Sequence, residues 1–219
     1  MMRQLASKWL KTKALLHHPH TAVYIPETSL YNEEQLRMML RRYGLVFIKP
    51  VKGGGGIGVI RVAKERREYT CTRMERTYRF SSFRALAVGI GKLRLQRPYL
   101  IQQGIRLATI QGRPVDYRVK VVKVGQRWGF RSVVARHARP GLVITNLCKG
   151  GTLMKGMNAL RMIYPRRVAA RKRREMVNLT QRCIPVLEGR FPGIGQLGFD
   201  YGLDPNGRIW ILEVNTRPQ

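Results

Sequence analysis

Acidic residues are scarce in this chain of 219 residues: 12 Asp and Glu stand against 42 Lys and Arg, a net charge of +30. A field of that sign attracts nucleotides, nucleic acids and acidic polymers alike, so it narrows the partners and leaves the fold open. The same arginines read equally well as solvated surface. Cysteine is sparse too. Cys71, Cys148 and Cys183 are odd in number, far apart and without a C-x-x-C pair, which argues for a reducing, cytoplasmic interior and against a disulfide framework or zinc site. No apolar run approaches the roughly 20 residues of a membrane span. The basic stretch from Met1 to His20 has no signal-type apolar segment or cleavage site. Internal repeats, low-complexity linkers and Ser/His/Asp or Cys/His arrangements are all missing. His17, His18 and His20 sit in a His-Pro-His loop with no Cys or carboxylate nearby and read as ordinary surface.

A hydrophobic content of 44% with 8% aromatics is enough for a real core, as one domain or two small ones. Asn32 caps a predicted helix, with Gln35 in the reciprocal position, Leu36, Met39 and Leu40 as its apolar stripe, and Gly44 as its end. Strands are expected at Leu45 to Ile48, Val59 to Val62 and Tyr99 to Gln103, with more sheet between Tyr69 and Phe80. Ser81 or Ser82 caps a short helix to about Leu93. Val115 to Val124 and Trp128 to Arg136 form a hairpin about Gly125, and Leu142 to Leu147 is short and apolar. Residues 166 to 184 read as a helix burying Met176, Leu179, Cys183 and Leu187, which Pro185 kinks or ends.

Two constellations carry chemistry. In the first, the Asp-Pro-Asn-Gly turn (Asp204 to Gly207) separates a strand bearing Asp200 from one bearing Glu213 and Asn215. Alternation puts Glu213 and Asn215 on one face. An even loop pairing Leu203 with Arg208 would set Ile211 opposite Asp200, leaving Asp200 on that same face, diagonal to Glu213. Two carboxylates about 5 Å apart repel by roughly 3 kcal/mol at an effective dielectric near 20. Arginine could quench this, but an Asp/Glu/Asn oxygen set is what a hard cation such as Mg2+ takes.

In the second, Phe47-Ile48-Lys49-Pro50 precedes Gly53, Gly54, Gly55, Gly56 and Gly58. Each ordered glycine forfeits roughly 0.5–1 kcal/mol relative to alanine. Bare backbone between two strands can fold over an oligophosphate while a lysine supplies a point charge. A loose hairpin tip is the competing reading. A Walker loop is excluded, because no Gly-Lys-Ser/Thr follows and the next element is a strand.

Taken together, these pieces resemble the ATP-grasp superfamily: Lys-Pro before a glycine flap, Asp-x-Arg (Asp116, Arg118), Thr-Asn-Leu with Gly-Gly (Asn146, Gly150, Gly151), and a closing Gly-Phe-Asp with Glu-Val-Asn. More narrowly, Tyr-Leu-Ile-Gln-Gln-Gly-Ile (99–105), Asp-Tyr-Arg, Ile-Thr-Asn-Leu and Glu-Val-Asn-Thr-Arg-Pro (213–218) resemble the YheC/YheD family, associated with endospore coats. The likeness runs from about residue 25 to the end. It implies an α+β fold in which two subdomains grip ATP between antiparallel sheets. The expected division is an N-terminal segment and helix packing on the core (1–43), a lid subdomain (44–103) and a core subdomain with the metal site (104–219).

The resemblance further implies that Lys49 and the Gly53 to Gly58 backbone hold the ATP phosphates, and that Gln102 and Gln103 form the adenine and ribose hinge. Asp116 and Asn146 would lie near the nucleotide. Asp200, Glu213 and Asn215 would hold Mg2+, while Arg118 and Arg136 stabilise transferred charge. The bland alternative makes these two arginines surface cations, with Asp116 paired to one of them. Relatives often carry glutamate where this chain has Gln103, and usually an N-terminal domain of which this chain has little. The implied activity is an ATP-dependent ligase joining a carboxylate to an amine or thiol through an acyl phosphate, linked to sporulation. The alternative is a non-catalytic, spore-associated shell binding acidic polymer through its charge. Nucleic acid is not expected as a specific partner: Arg166 to Arg174 make a basic helical face, but no zinc-finger or aromatic RNA-binding signature accompanies it.

Overall fold

A computed structural model describes residues 4–139 and 151–218. In chain order the elements are α1 (Lys8–Leu16), α2 (Pro19–Ala22), β1 (Thr28–Leu30), α3 (Glu33–Tyr43), β2 (Leu45–Pro50), β3 (Ile60–Lys64), β4 (Tyr69–Arg73), β5 (Arg76–Phe80), α4 (Phe83–Leu93) and β6 (Tyr99–Gln103). There follow β7 (Thr109–Ile110), β8 (Arg113–Val124), β9 (Arg127–His137), β10 (Thr152–Lys155), α5 (Gly156–Ile163), α6 (Arg166–Arg190), β11 (Gln196–Leu203) and β12 (Ile209–Asn215). They form two compact units, Pro26–Ile105 and Met1–Ile25 with Arg106–Gln219.

The Pro26–Ile105 unit is an antiparallel sheet in the order β1-β6-β2-β3-β4-β5. Its helices start where capping chemistry allows. The Asn32 side chain accepts the Gln35 N–H at 2.7 Å and Gly44, at φ 68°, ends α3; the Ser82 hydroxyl accepts the Ala85 N–H at 3.2 Å and starts α4. Leu36, Met39 and Leu40 of α3 and Leu86 and Ile90 of α4 bury against Val46, Ile48, Val62, Cys71 and Ile101. Those strand residues alternate with positions on the opposite face, where Lys49 and Gln102 stand.

The other unit has the sheet order β10-β9-β8-β11-β12, with β7 paired to β8. Helices α5 and α6 cover one face: Ala159, Leu160, Met176, Leu179 and Cys183 join Tyr117, Val119, Phe199 and Tyr201 in the core. The outer edge of β12 is partly closed by a hydrogen bond from the Ile211 N–H to the Tyr24 carbonyl, 2.8 Å.

Two expectations need correction. The first 43 residues are not one segment: α1 and α2 contact α6, whereas α3 contacts β2, β3 and β6. The reason is that Leu15 and the Tyr24 carbonyl serve one core and sheet edge, and the apolar stripe of α3 serves the other. Helix α6 does not end at Pro185 but runs to Arg190. Pro185 is exposed, so the carbonyl it leaves without an N–H partner can face water, while Cys183, Ile184 and Leu187 anchor the buried side. The apolar segment Leu142 to Leu147 lies outside the described residues.

Candidate functional site

The C-terminal hairpin reaches the expected grouping by another route. Leu203 pairs with Ile209, not Arg208, because a five-residue loop is held closed by Asp204. Its Oδ1 accepts the N–H groups of Asn206 and Arg208 at 3.0 Å each, and its carbonyl accepts that of Gly207 at 2.8 Å, where φ is 75°. Continued without interruption, this register would put Leu212 opposite Asp200 and turn Glu213 toward the core. A β-bulge between Asp200 and Tyr201 on the register, with Leu212 as the extra residue, moves the pairing by one. Asp200 therefore faces Glu213 directly across the ladder, and Gly198 faces Asn215. Ile211 and Val214 both reach the core, the three-residue step that such a bulge imposes.

The neighbouring strands complete this face. Asp200 is the register partner of Arg118 on β8, and Asp116 that of Arg136 on β9. Arg118 grips Asp200 with both arms (Nε to Oδ1 2.7 Å, Nη2 to Oδ2 2.9 Å). Arg136 grips Asp116 in the same way at 2.7 and 2.6 Å, and its Nη2 also reaches Asp200 Oδ2 at 3.0 Å. The Asn215 amide nitrogen lies 3.4 Å from Asp200 Oδ2. Asp116, Asp200 and Arg136 are all buried. Burial alone would raise the Asp200 pKa, but the Arg136 and Arg118 charges and their hydrogen bonds outweigh it and hold the carboxyl below its usual range. Burial would lower the Arg136 pKa; Asp200 and then Asp116 outweigh it and raise it further.

Two further residues, neither anticipated from the sequence, stand beside this face. Lys8 of α1 forms an ion pair with Glu213 at 3.1 Å, and Lys11, one turn on, donates to the Leu5 carbonyl at 2.7 Å. Burial pulls the Lys11 pKa down to about 8; Glu213 offsets part of that, and Lys8 adds to it. Lys8, Lys11 and Leu15 are in phase on one buried helical face. That spacing was the available clue, hidden because two of the three side chains are cationic.

The donor set suits a hard divalent ion: carboxylate, carboxylate and carboxamide oxygen on one face, with protein cations standing in for positive charge at Asp200 and Glu213. Among the described residues no three His, Cys, Asp or Glu side chains gather as a metal cluster. An all-oxygen donor set without Cys or His fits magnesium better than zinc.

The remaining predicted residues other than Asn146 belong to the Pro26–Ile105 unit. Lys49 Nζ donates to Gln102 Oε1 at 2.6 Å, and Gln102 Nε2 donates to Thr28 Oγ1 at 3.0 Å, so the lysine and the first hinge glutamine form one chain of hydrogen bonds. Gln103 instead turns its amide oxygen to the Glu27 N–H at 3.3 Å. In the glycine loop Gly53, Gly55, Gly56 and Gly58 all have positive φ. A Cβ at Gly58 would meet Tyr99 Oη at 2.9 Å and Leu95 and Pro50 at 3.0 Å, so this position requires glycine on two counts. Asn146 lies outside the described residues.

An antiparallel α+β unit carrying a lysine strand before a glycine flap, and a second whose last hairpin presents Asp, Glu and Asn, together define the ATP-grasp fold. Solved ATP-grasp enzymes superimpose on the chain. N5-carboxyaminoimidazole synthetase of Staphylococcus aureus, complexed with ADP, matches with a TM-score of 0.60 at 13% identity, over 99% of this chain and 46% of that one. D-alanyl-alanine synthetase A of Vibrio cholerae matches at 0.57 and 13%, over 97% and 55%. At the level of family, the YheC/D like ATP-grasp model matches residues 2–219, and the chain belongs to that family. It is similar to the endospore coat-associated proteins YheD (29% identical, 97% of this chain, 48% of the relative) and YheC (28%, 99% and 61%) of Bacillus subtilis. It thus spans about half to three-fifths of the length of these relatives.

Proposed function

We propose that this chain binds Mg-ATP and joins a carboxylate to an amine or thiol. The observation that carries the reading is the single sheet face bearing Asp200, Glu213 and Asn215 beside Arg118 and Arg136. Magnesium held by the three oxygen ligands would neutralise triphosphate charge. Lys49 and the backbone N–H groups of residues 53–58 hold the phosphates, Gln102 and Gln103 meet adenine and ribose, and Asp116 and Asn146 lie near the nucleotide. A substrate carboxylate oxygen attacks the γ-phosphorus and ADP leaves as the bridging bond breaks. The amine or thiol then attacks the acyl phosphate, loses its proton and expels inorganic phosphate. Arg118 and Arg136 steady the charge in transit. The ADP bound by the staphylococcal neighbour supports the nucleotide part of this scheme.

Calorimetric titration with Mg-ATP tests it. Asp200→Ala and Glu213→Ala should each weaken Mg-dependent binding by at least about 100-fold, roughly 2.7 kcal/mol. Undiminished affinity in either variant overturns the assignment. A screen for ADP release with paired carboxylates and amines then identifies the substrates. No helix among the described residues is long and apolar enough to cross a membrane.

One observation favours a second reading, a non-catalytic anion-binding protein of the spore layer. Arg166, Arg167, Arg171, Arg173, Arg174 and Arg182 are exposed along α6, and both curated relatives are named for the endospore coat. Steep loss of polyglutamate binding with added salt, without ATP turnover on any acceptor, would select it. On either reading we place the protein in the cytoplasm and at the spore.

A further inference from the structure

Helix α1 has two working faces. Lys8, Lys11 and Leu15 are buried on one. Leu10, Lys13, Ala14 and His17, at the i, i+3, i+4, i+7 spacing of a single stripe, lie on the other and form one wall of a groove. Val186, Arg190 and Phe191 from the C-terminal end of α6, together with His18, complete the lining. The cavity measures about 570 Å³, within the span of roughly 300–1,000 Å³ that small-molecule sites occupy. Its apolar surface comes from Leu10, Ala14, Val186 and Phe191, and Leu10 is left 44% exposed. Among the described residues no acidic side chain lines it. Lys13 and Arg190, both exposed, are the cations of the lining. His17 Nδ1–H donates to the Lys13 carbonyl at 2.7 Å, which directs its other ring nitrogen away from the helix. The His18 Nδ1 is buried without a hydrogen-bond partner among the described residues. The α6 C-terminus contributes a partial negative charge of about one half, against the two full positive charges of Lys13 and Arg190.

We propose that this groove binds a small organic acid with an aromatic or branched apolar body. The body lies on Leu10, Ala14, Val186 and Phe191, and the carboxylate is held between Lys13 and Arg190. Volume limits the guest to a small molecule, the apolar lining demands a hydrocarbon body, and the two cations select its charge. Because the groove lies on the face of α1 opposite Lys8 and Lys11, its occupancy is separable from nucleotide binding at Glu213 and does not rest on the ligase reading.

The test uses the full chain with 1-naphthoate, its neutral analogue 1-naphthamide, and acetate, by calorimetry and saturation-transfer NMR. Naphthoate should bind at one saturable site, at least tenfold tighter than naphthamide, with acetate weaker than both. The Lys13→Gln/Arg190→Gln double variant should lose at least tenfold in naphthoate affinity while naphthamide changes less than twofold. Ala14→Trp should fill the groove and abolish both; if it does not fold, the charge variant decides alone. An Arg41→Gln/Arg84→Gln control removes equal charge from the other unit and should bind naphthoate like the parent. Equal binding of acid and amide overturns the proposal. So does indifference to the Lys13/Arg190 change, or an equal loss in the control, which would trace binding to overall charge.

Discussion

In the unit that includes residues 106–219, the carboxylates of the open sheet face are already held by cations: Asp200 by Arg118 and Arg136, Asp116 by Arg136, Glu213 by Lys8. The glycine loop of the other unit has almost no side chains to engage, and Gly53, Gly54 and Gly55 are exposed. The first region holds its charges at register positions shared by four adjacent strands, with Lys8 added from α1, so a ligand there must exchange one partner for another. The second offers backbone that a ligand only has to order. Substitution in the first should therefore cost stability as well as binding, and in the second mostly binding.

Asp200 gives the largest contrast. Asp200→Ala leaves two arginines, one of them buried, without their shared counter-ion, and should lower unfolding free energy by about 3–5 kcal/mol in urea titration. The wild-type contribution has the sign of a depressed carboxyl. It is present above the unfolded pKa near 4 and is lost as pH falls through the lower folded value. A melt insensitive to Asp200→Ala would break the comparison at its strongest point.

Lys11 runs the other way. Its pKa is lowered from 10.5 to about 8 in the fold, which penalises the folded state by up to about 3 kcal/mol below pH 8 and releases that penalty between pH 8 and 10.5. Lys11→Met should raise stability at pH 7 by about 1–3 kcal/mol, less whatever the lost Leu5 hydrogen bond contributes, and erase the alkaline rise. Equal pH profiles for the two proteins would show that Lys11 is not the titrating group.

Within the flap, Gly58 should behave as the anchor and Gly54 as free loop. Gly58→Ala combines a φ of 78° with close contacts to Tyr99, Leu95 and Pro50 and should destabilise by about 1–3 kcal/mol. Gly54→Ala meets nothing within 4 Å and should leave the thermal midpoint nearly unmoved. Lys49→Ala should act on binding instead: roughly tenfold weaker ATP binding, about 1.4 kcal/mol, with stability little changed. A Lys49 variant that unfolds easily but binds ATP normally would reverse the contrast between the regions.

Several elements could be read directly because their causes are local. Asn32 with Gln35, Gly44 and Ser82 mark helix ends through hydrogen bonds within a few residues. Strands β6 and β8 follow from short apolar or alternating runs. Helix α1 escaped notice because its buried stripe contains lysines, made tolerable by Glu213 and the Leu5 carbonyl, both far from view in the sequence or too ordinary to register. The persistence of α6 through Pro185 depends on solvent at one side and the core at the other, which no local rule reports.

That Glu213 and Asn215 share a face was determined by the chain alone, since two residues two positions apart in a strand must agree. That Asp200 joins them was decided in three dimensions. The closed loop at Asp204 sets a register that would separate them, and the bulge at Leu212 restores the meeting. A single extra residue reverses every side chain beyond it, and only pairing with a neighbouring strand determines where that residue is placed.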